Sequence, residues 1–380
     1  MIQRSYKYRL YPSKAQSVAL TEMLGAFCDL YNAALQQRIE AYRRQRKTLR
    51  YLDQASELKA VRAVDERLAG LSYSAAQQVL RRLDKAFMAF FRRLKAKAKA
   101  GFPRFRAKSR FDSAEFRVGD GLTIRKSKRL GITGITGEIK VKWHRDLPAG
   151  ATVGAAVLSR SAGTWFVCFQ VTVPDQVVQP RNGASVGIDV GLTSLIATSD
   201  GDVVKTPQWT KHAAKKQRRL QRALARCKQG SRRRLKAKQR LARHKAHIAN
   251  QRRDFLHKLS RSLVERYAVI ALEDLSIDRL ARSMLAKAVH NAAWGQLRSF
   301  LDYKAASAGV RVEVVDPHGT SQTCPACGAG VAKTLADRTH TCSCGCVMDR
   351  DIAAAMVILQ RAQEQGPGHG LRSPSQRTAA

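Results

Sequence analysis

Three segments of apolar sequence in this chain contain or adjoin an acidic residue. Asp189 lies inside one apolar run, Glu273 ends a second, and Asp351 leads directly into the sequence Ile-Ala-Ala-Ala. These patterns predict two buried strands and a helix. A buried carboxylate is costly unless positive charge shares its site. A strand, a strand end and a helix start can converge at one point of an α/β layer, so the sequence predicts that the three acids meet.

Divalent metal ions are the usual partners of carboxylates gathered in this way. Two metal ions held by shared carboxylates activate water and stabilise the leaving oxygen when a phosphodiester is cut. We therefore expect Asp189, Glu273 and Asp351 to be catalytic residues that hold two Mg²⁺ ions. Taken singly, Asp351 could be only a helix N-terminal acid and Glu273 a surface residue. The neighbouring Asp274 and Asp349 are less favoured, because Glu273 continues its strand and Asp351 leads directly into its helix.

The chain as a whole is strongly basic. It has 69 Lys and Arg against 29 Asp and Glu residues, a formal net charge of +40 and a pI near 10.7. Its hydrophobic content of 44% is that of a globular protein, which excludes general disorder. The charge predicts a polyanion partner, and nucleic acid is favoured because phosphate neutralisation releases counterions. A membrane surface would also attract this charge, but no apolar run approaches membrane-spanning length and the N-terminus lacks a signal-peptide core. We therefore expect a cytoplasmic protein without a membrane partner.

Five of the eight cysteines are clustered near the C-terminus, a spacing that predicts a metal site rather than disulfides. Cys324 and Cys327 have CxxCG spacing, in which two thiolates bind one metal and the glycine permits a tight turn. For the second pair we favour Cys342 with Cys344, because glycine follows Cys344 as it follows Cys327; Cys344 with Cys346 stays open. Four thiolates leave no free coordination position, so the prediction is a structural Zn²⁺ site. The thiols expected to be reduced and structural are Cys28, Cys168 and Cys227.

The first half of the chain predicts a small β-barrel interrupted by helices. Short alternating patterns at 1–13 and 101–180 predict the strands of the barrel, and long amphipathic patterns at 14–100 predict a helical insertion. Aromatic and basic residues interleave at 102–106, which suits single-stranded or A-form nucleic acid as well as an ordinary barrel core. A polar connector at 174–183 predicts the domain boundary.

The second half predicts an α/β domain at 183–322 and 348–363, with a zinc-binding module inserted at 323–347. Within it, residues 211–258 carry 19 Lys or Arg and a single acid. Apolar residues recur there at seven-residue intervals, so we expect two basic helices packed as an antiparallel hairpin. Like charge at this density repels itself without a polyanion, which favours binding over a solvated surface. The Gly-, Pro- and Ser-rich tail at 364–380 is expected to be disordered.

Seven short motifs carry a family resemblance: YKYRLYP at 6–12, YNAAL at 31–35, FPRF at 102–105, GIDVG at 187–191, LEDL at 272–275, TSQTCPACG at 320–328 and DRD at 349–351. They span nearly the whole chain, and the later ones are highly specific in combination. Together they resemble the TnpB (OrfB) family, which is encoded by bacterial insertion sequences and is related to the type V CRISPR effector nucleases.

The resemblance implies a multidomain α+β fold. Its N-terminal part would be a wedge β-barrel with an inserted helical recognition region, and its C-terminal part an RNase H-like RuvC domain with an inserted zinc-binding module. Asp189, Glu273 and Asp351 would then be the RuvC-like catalytic triad.

The same resemblance implies an RNA-guided DNA endonuclease. In this scheme a guide RNA pairs with double-stranded target DNA beside a short element-specific motif, while the protein reads duplex shape and that motif. The implied partners are guide RNA and target DNA, with the transposase of the same element as a further partner in the cell. The implied location is the bacterial cytoplasm, on the nucleoid when target is bound.

Two positions depart from the family pattern. Many members have Asn two residues after the last catalytic Asp, where this chain has Ala353, and the second cysteine pair is CxC followed by Cys346. Neither change replaces a proposed catalytic carboxylate, so activity is expected. Two other functions are a catalytically weak RNA-guided DNA binder of repressor type and a transposase that catalyses strand transfer. Intact carboxylates disfavour the first, whereas the second uses similar chemistry and needs an excision-and-integration assay to separate it.

Overall fold

The computed structural model describes residues 2–174, 178–280, 282–334 and 336–365. The chain forms two compact units, Met1–Gln176 and Val177–Ala380. In the described ranges, no helix has both the length and the apolar composition needed to cross a bilayer. The tail predicted to be disordered from residue 364 lies outside the described residues from 366 onward.

The first unit contains seven strands: β1 (Ile2–Tyr11), β2 (Ser113–Val118), β3 (Gly121–Ile124), β4 (Leu130–Ile132), β5 (Ile135–Lys142), β6 (Thr152–Ser161) and β7 (Thr164–Val173). They close a barrel in the order β1-β5-β4-β3-β2-β6-β7, and β7 pairs with β1 to complete it. Buried and partly exposed side chains alternate along β7, so that Trp165, Val167 and Phe169 lie in the core. The predicted N-terminal barrel is confirmed.

Four α-helices and a short 3-10 helix (Lys108–Arg110) lie between β1 and β2; the α-helices are α1 (Lys14–Gln45), α2 (Tyr51–Val64), α3 (Glu66–Ala69) and α4 (Tyr73–Lys95). Helix α1 begins at a capping box, in which the Ser13 hydroxyl accepts the amide of Gln16 while the Gln16 side chain accepts the amide of Ser13. The helices and the barrel share one hydrophobic core, where Phe27 of α1 lies edge-on to Phe116 of β2. The helical insertion therefore packs as part of the barrel unit.

The second unit is built on a five-stranded sheet: β8 (Ser185–Asp189), β9 (Ser194–Thr198), β10 (Val203–Lys205), β11 (Val269–Glu273) and β12 (Arg311–Val315). The strand order is β10-β9-β8-β11-β12. The first three strands form antiparallel pairs, whereas β11 runs parallel to both β8 and β12. The carboxyl ends of β8 and β11 therefore meet at the same edge of the sheet.

The remaining elements of the second unit are α5 (Trp209–Ala225), α6 (Arg232–Arg266), α7 (Ile277–Leu280), α8 (Ala286–Ala292), α9 (Trp294–Ala308), β13 (Thr339–Thr341), β14 (Val347–Asp349) and α10 (Arg350–Glu364). Helices α6 and α9 and the sheet enclose a second hydrophobic core. Strands β13 and β14 form an antiparallel hairpin, and β14 continues directly into α10. The mixed α+β class is therefore confirmed, and Glu364 belongs to the last helix rather than to the tail.

Candidate functional site

Asp189 is the last residue of β8, the middle strand of the five-stranded sheet. The residues before it are buried, so the core holds the strand in place. Gly187 allows α10 to pack directly on β8, because a β-carbon at this position would collide with the carbonyl oxygen of Ala355. The close approach brings the start of α10 to the strand that carries Asp189.

Glu273 ends β11, which pairs with β8 through Leu272 and Ile188. This register puts Glu273 next to Asp189 at the carboxyl edge of the sheet. The Thr320 hydroxyl donates a hydrogen bond to Glu273 Oε1 at 2.5 Å. Burial raises the pKa of the Glu273 carboxyl, and the Thr320 hydrogen bond opposes this effect. Thr320 therefore holds the Glu273 side chain and favours its charged form.

Asp351 lies in the first turn of α10, and its neighbour Asp349 has a different role. The Asp349 side chain caps the helix by accepting the amides of Asp351 at 2.8 Å and Ile352 at 3.2 Å. The Asp351 side chain is only 14% exposed, and its Oδ1 lies 3.2 Å from a guanidinium nitrogen of Arg350. Asp274, the other neighbour weighed from the sequence, is exposed. The structure thus separates Glu273 and Asp351 from the acids beside them.

The three carboxylates interact electrostatically. Burial raises the pKa of Asp189 to about 7, and the negative charges of Glu273 and Asp351 add to the effect. Arg350 and the backbone amide of Val190 oppose it without cancelling it. Burial is therefore the main reason that Asp189 favours its protonated form, and the two neighbouring carboxylates strengthen the effect.

Divalent cations fit this donor set. Carboxylate oxygens are the ligands that Mg²⁺ prefers, and a cation would favour the charged form of Asp189, which burial and the two neighbouring carboxylates disfavour. Within the described ranges, the groups of three or more potential ligands whose donor atoms all lie within 4.8 Å occur at the cysteines. In the described ranges, oxygens of the three carboxylates therefore do not all lie within 4.8 Å of one another.

The cysteine cluster brings together the four thiols that the sequence favours. The sulfur atoms of Cys324, Cys327, Cys342 and Cys344 all lie within 4.8 Å of one another. Cys324 Sγ is 3.7 Å from Cys344 Sγ, and Cys327 Sγ is 3.6 Å from Cys342 Sγ. A tetrahedral zinc with bonds of about 2.3 Å separates its sulfur ligands by about 3.8 Å. The four thiols therefore fit a structural Zn²⁺ ion.

Backbone amides also prepare these sulfur atoms for a metal. Burial raises the pKa of the Cys324 thiol, but hydrogen bonds from the amides of Cys327 and Ala326 outweigh it and lower the pKa overall. The amide of Cys344 lowers the pKa of Cys342 in the same way. Gly328 adopts a φ of +74°, as the turn after the first pair requires. The turns therefore favour the thiolate form of Cys324 and Cys342. For Cys344, the Cys346 amide lowers the pKa, but hydrogen bonds with the Cys327 and Cys342 thiols outweigh it and raise that pKa to about 12.

Basic helices occupy the predicted hairpin segment. Helices α5 and α6 pack together, with Leu241 and Ile248 buried and Phe255 against Trp209 at 5.5 Å between ring centroids. No side chain of α5 is buried. A broad surface cavity on this helix is lined by basic residues: His212, Lys215, Lys216, Arg218, Arg219, Arg222 and Arg226.

Three side chains beside the carboxylate site and the cysteine cluster have no role that the sequence alone predicts. Thr320 and Arg350 lie inside recognised motifs, but nothing in the motifs says that they contact Glu273 and Asp351. His340 is completely buried, and one of its ring nitrogens lies within 4.8 Å of the sulfur atoms of Cys324 and Cys346. The available sequence signal was a histidine two residues before a cysteine, because imidazole binds zinc as thiolate does.

Models of known protein families match three separate parts of this chain. The family model described as "Probable transposase" (OrfB_IS605) matches residues 168–284, the model "Cas12f1-like, TNB domain" matches 294–358, and a "Helix-turn-helix domain" model matches 1–47. A Streptomyces pristinaespiralis protein named "Putative RNA-guided DNA endonuclease" is 35% identical over 94% of this chain and 89% of its own length.

Two further relatives are more distant. An Escherichia coli K12 protein named "Putative RNA-guided DNA endonuclease InsQ" is 28% identical over 86% of this chain and 83% of its own length. A Methanocaldococcus jannaschii protein named "TnpB-like protein MJ0751" is 29% identical over 52% of this chain and 76% of its own length.

Proposed function

This chain belongs to the TnpB (OrfB) family, and from that premise we propose that it is an RNA-guided DNA endonuclease of an insertion sequence. In this proposal Asp189, Glu273 and Asp351 form a Mg²⁺-dependent RuvC-like site that hydrolyses phosphodiester bonds. The observation that carries it is the convergence of the three carboxylates at the carboxyl edge of the sheet, where Glu273 and Asp351 act electrostatically on Asp189.

The architecture of the second unit supports an RNase H-like assignment. If its five strands are numbered in chain order, they lie side by side in the order 3-2-1-4-5. Strands 1, 4 and 5, which are β8, β11 and β12, run parallel to one another. We assign this sheet, together with α10, to the RuvC-like domain and the segment around β13 and β14 to its zinc-binding module. The barrel and helices of the first unit are assigned to the wedge and recognition regions.

The residues of the site have different roles in the proposed reaction. Two bound divalent ions would supply Lewis acidity, activating a water molecule and stabilising the leaving 3′ oxygen. Asp189, at the centre, would hold these ions in its deprotonated form. The Thr320 hydroxyl orients Glu273, and Arg350 restrains Asp351 by an ion pair of 3.2 Å. Because both contacts use one oxygen of each carboxylate, the other oxygen stays available as a ligand.

The basic charge supports nucleic-acid partners. Helices α5 and α6 present cations at the surface, and phosphate binding by such cations is independent of sequence. We propose that they contact the guide RNA or the target DNA, with sequence recognition left to base pairing. The element's transposase as partner, and the cytoplasmic and nucleoid location, stay predictions from the family resemblance.

The deciding experiment begins with the protein purified from its native locus. RNA that co-purifies is sequenced, and the complex is then mixed with a DNA library carrying the matching target beside randomised flanking sequence. We expect cleavage that requires Mg²⁺, matches the guide and selects one short flanking motif. Purified protein without a defined RNA, or guided binding without cleavage in Mg²⁺, would contradict the proposal.

A further inference from the structure

The zinc-binding module contains a second group of metal ligands that the four-cysteine site does not use. One ring nitrogen of His340 and the sulfur atoms of Cys324 and Cys346 all lie within 4.8 Å of one another. Cys324 belongs to both groups, whereas His340 and Cys346 belong only to this one. Six side chains of this small module can therefore bind metal, two more than one tetrahedral zinc needs.

His340 is the most informative member of this group. It lies in β13, its exposed fraction is 0%, and its ring interacts with the Cys324 thiol and lowers the pKa of that thiol. A buried polar atom without a strong partner destabilises the folded protein. The ring lies beside two sulfur atoms, which are ligands for the same metals that imidazole binds. A metal ion shared with these sulfur atoms would give the buried ring a stronger partner than a thiol.

The backbone places Cys346 where it can complete the group. Cys342 and Cys346 flank a turn closed by hydrogen bonds from the Cys342 amide to the Cys346 carbonyl and from the Gly345 amide to the Cys342 carbonyl. Cys344, at the exposed tip of the turn, joins the four-cysteine site, while Cys346 is only partly exposed and lies near His340. The CSCGC sequence thus divides its three thiols between two ligand groups.

We propose that Cys324, His340 and Cys346 bind a second thiophilic divalent ion of the Zn²⁺ class, and that the Cys324 thiolate bridges it to the zinc of the four-cysteine site. Six protein ligands serve two zinc ions in the Zn₂Cys₆ modules of DNA-binding proteins, so the ratio is chemically reasonable. The fourth position of the second ion is open to water, as in zinc sites with three protein ligands.

Charge favours the same arrangement. A zinc ion with four thiolates carries a net charge of −2, and a second divalent ion with one further thiolate and a neutral imidazole reduces it to about −1. Sulfur and imidazole ligands exclude Mg²⁺ and Ca²⁺, which prefer oxygen. The proposal concerns metal content alone, so it stands or falls separately from the nuclease function.

The test is the metal content of the full-length protein. The chain is equilibrated with Zn²⁺ under reducing conditions, desalted, and analysed for zinc and protein. We expect about two zinc ions per chain for the wild type and about one for Cys346→Ser and for His340→Phe. The matched control is Cys227→Ser, which removes a half-buried thiol outside the module and should leave the ratio at about two.

Each other outcome overturns the proposal. A wild-type ratio of one would mean that His340 and Cys346 only surround a single zinc. Variants that keep the wild-type ratio would place the extra ion elsewhere on the chain. Loss of all zinc in Cys346→Ser would show that Cys346 belongs to the four-cysteine site.

Cadmium tests the shared sulfur. With Cd²⁺ in place of Zn²⁺, we expect two cadmium NMR resonances that are split by coupling through the Cys324 thiolate. Two resonances without this coupling would show that the Cys324 thiolate does not bridge the two ions. A single resonance in Cys346→Ser shows that the variant still folds around the four-cysteine site, so the test remains informative even if His340→Phe is unstable.

Discussion

The carboxylate site and the cysteine cluster both concentrate negative charge in a very basic chain, but they are assembled in different ways. Local turns place the thiols in two short segments, and backbone amides lower the pKa of Cys324 and Cys342. The carboxylates come from two strands and a helix that are far apart in sequence. Burial, with the charges of Glu273 and Asp351 added to it, raises the pKa of Asp189.

We expect this difference to separate a structural site from a reactive one. Four thiolates at tetrahedral spacing saturate a zinc ion and contribute folding energy. Buried carboxylates that repel one another destabilise the metal-free protein but bind cations that still have open positions for water and phosphate. Loss of a thiol should therefore be felt mainly in stability, and loss of a carboxylate mainly in activity.

The largest effect is expected from removing a carboxylate. Asp189→Ala, Glu273→Ala and Asp351→Ala should each lower guided DNA cleavage by at least about a thousandfold, or about 4 kcal/mol of transition-state stabilisation. The reason is that each carboxylate is proposed to hold the cations that perform the chemistry. Cleavage rates are measured with saturating guide RNA and Mg²⁺, and DNA binding is measured in parallel.

The matched control for this experiment is Asp274→Ala, since Asp274 is an exposed acid next to Glu273. It should cleave like the wild type. Normal cleavage by Glu273→Ala together with loss of cleavage by Asp274→Ala would reverse the assignment of these two acids. Loss of DNA binding in all three variants would mean that the carboxylates are structural.

The second effect concerns the zinc site. Cys342→Ser removes a buried ligand that belongs only to the four-cysteine group. We expect its zinc affinity to fall by more than about a hundredfold, because loss of even an outer-shell partner of a zinc ligand costs about 10–100-fold. Competition with a chromophoric chelator measures the affinity, and limited proteolysis reports unfolding of the module. Unchanged affinity relative to Cys227→Ser would exclude Cys342 as a ligand.

Sequence patterns predicted the assembly of the carboxylate site well, because its positions follow from periodicity. Asp189 and Glu273 each end a strand, and Asp351 lies in the first turn of a helix. Parallel pairing of β8 with β11 then brings the first two together. Their catalytic role stays a prediction.

The partners of these residues could not be predicted in the same way. Thr320 contacts Glu273 across 47 residues of sequence, and only the packed fold sets such a contact. His340 lies in a short strand between two polar residues, a pattern that many surface strands share. Its complete burial beside sulfur depends on the hairpin of β13 and β14. Periodicity indicates which side of an element is buried but not which side chain it meets.

The third effect is a dependence of stability on pH in the absence of metal. The pKa of Asp189 is raised from 3.8 to about 7 in the folded protein, so the folded state binds this proton more tightly than the unfolded state. Stability from this group is therefore present at low pH and is lost as pH rises through about 7. At about 1.4 kcal/mol per pKa unit the limit is about 4 kcal/mol, and we expect about half because the carboxyl keeps some contact with water.

Asp189→Asn removes this titration. In chelator it should raise the free energy of unfolding by about 2 kcal/mol at pH 8 and by clearly less at pH 5. Added Mg²⁺ should stabilise the wild type at pH 8 but not the variant. Urea unfolding at the two pH values measures the difference. An equal gain at both values would mean that the substitution acts through packing and not through charge.

The smallest effect separates positioning from chemistry at the carboxylate site. Thr320→Val keeps the shape of the side chain but removes the hydroxyl that donates to Glu273. Without this hydrogen bond the pKa of Glu273 should rise further, and its carboxylate should be less well oriented. We expect cleavage at saturating DNA to slow by about tenfold, about 1.4 kcal/mol, and the Mg²⁺ concentration for half-maximal activity to rise.

Thr320→Ser retains the hydroxyl and should restore most of the rate, while Ser321→Ala, at the exposed next position, should have no effect. A purely structural Thr320 would instead lower stability without moving the Mg²⁺ dependence.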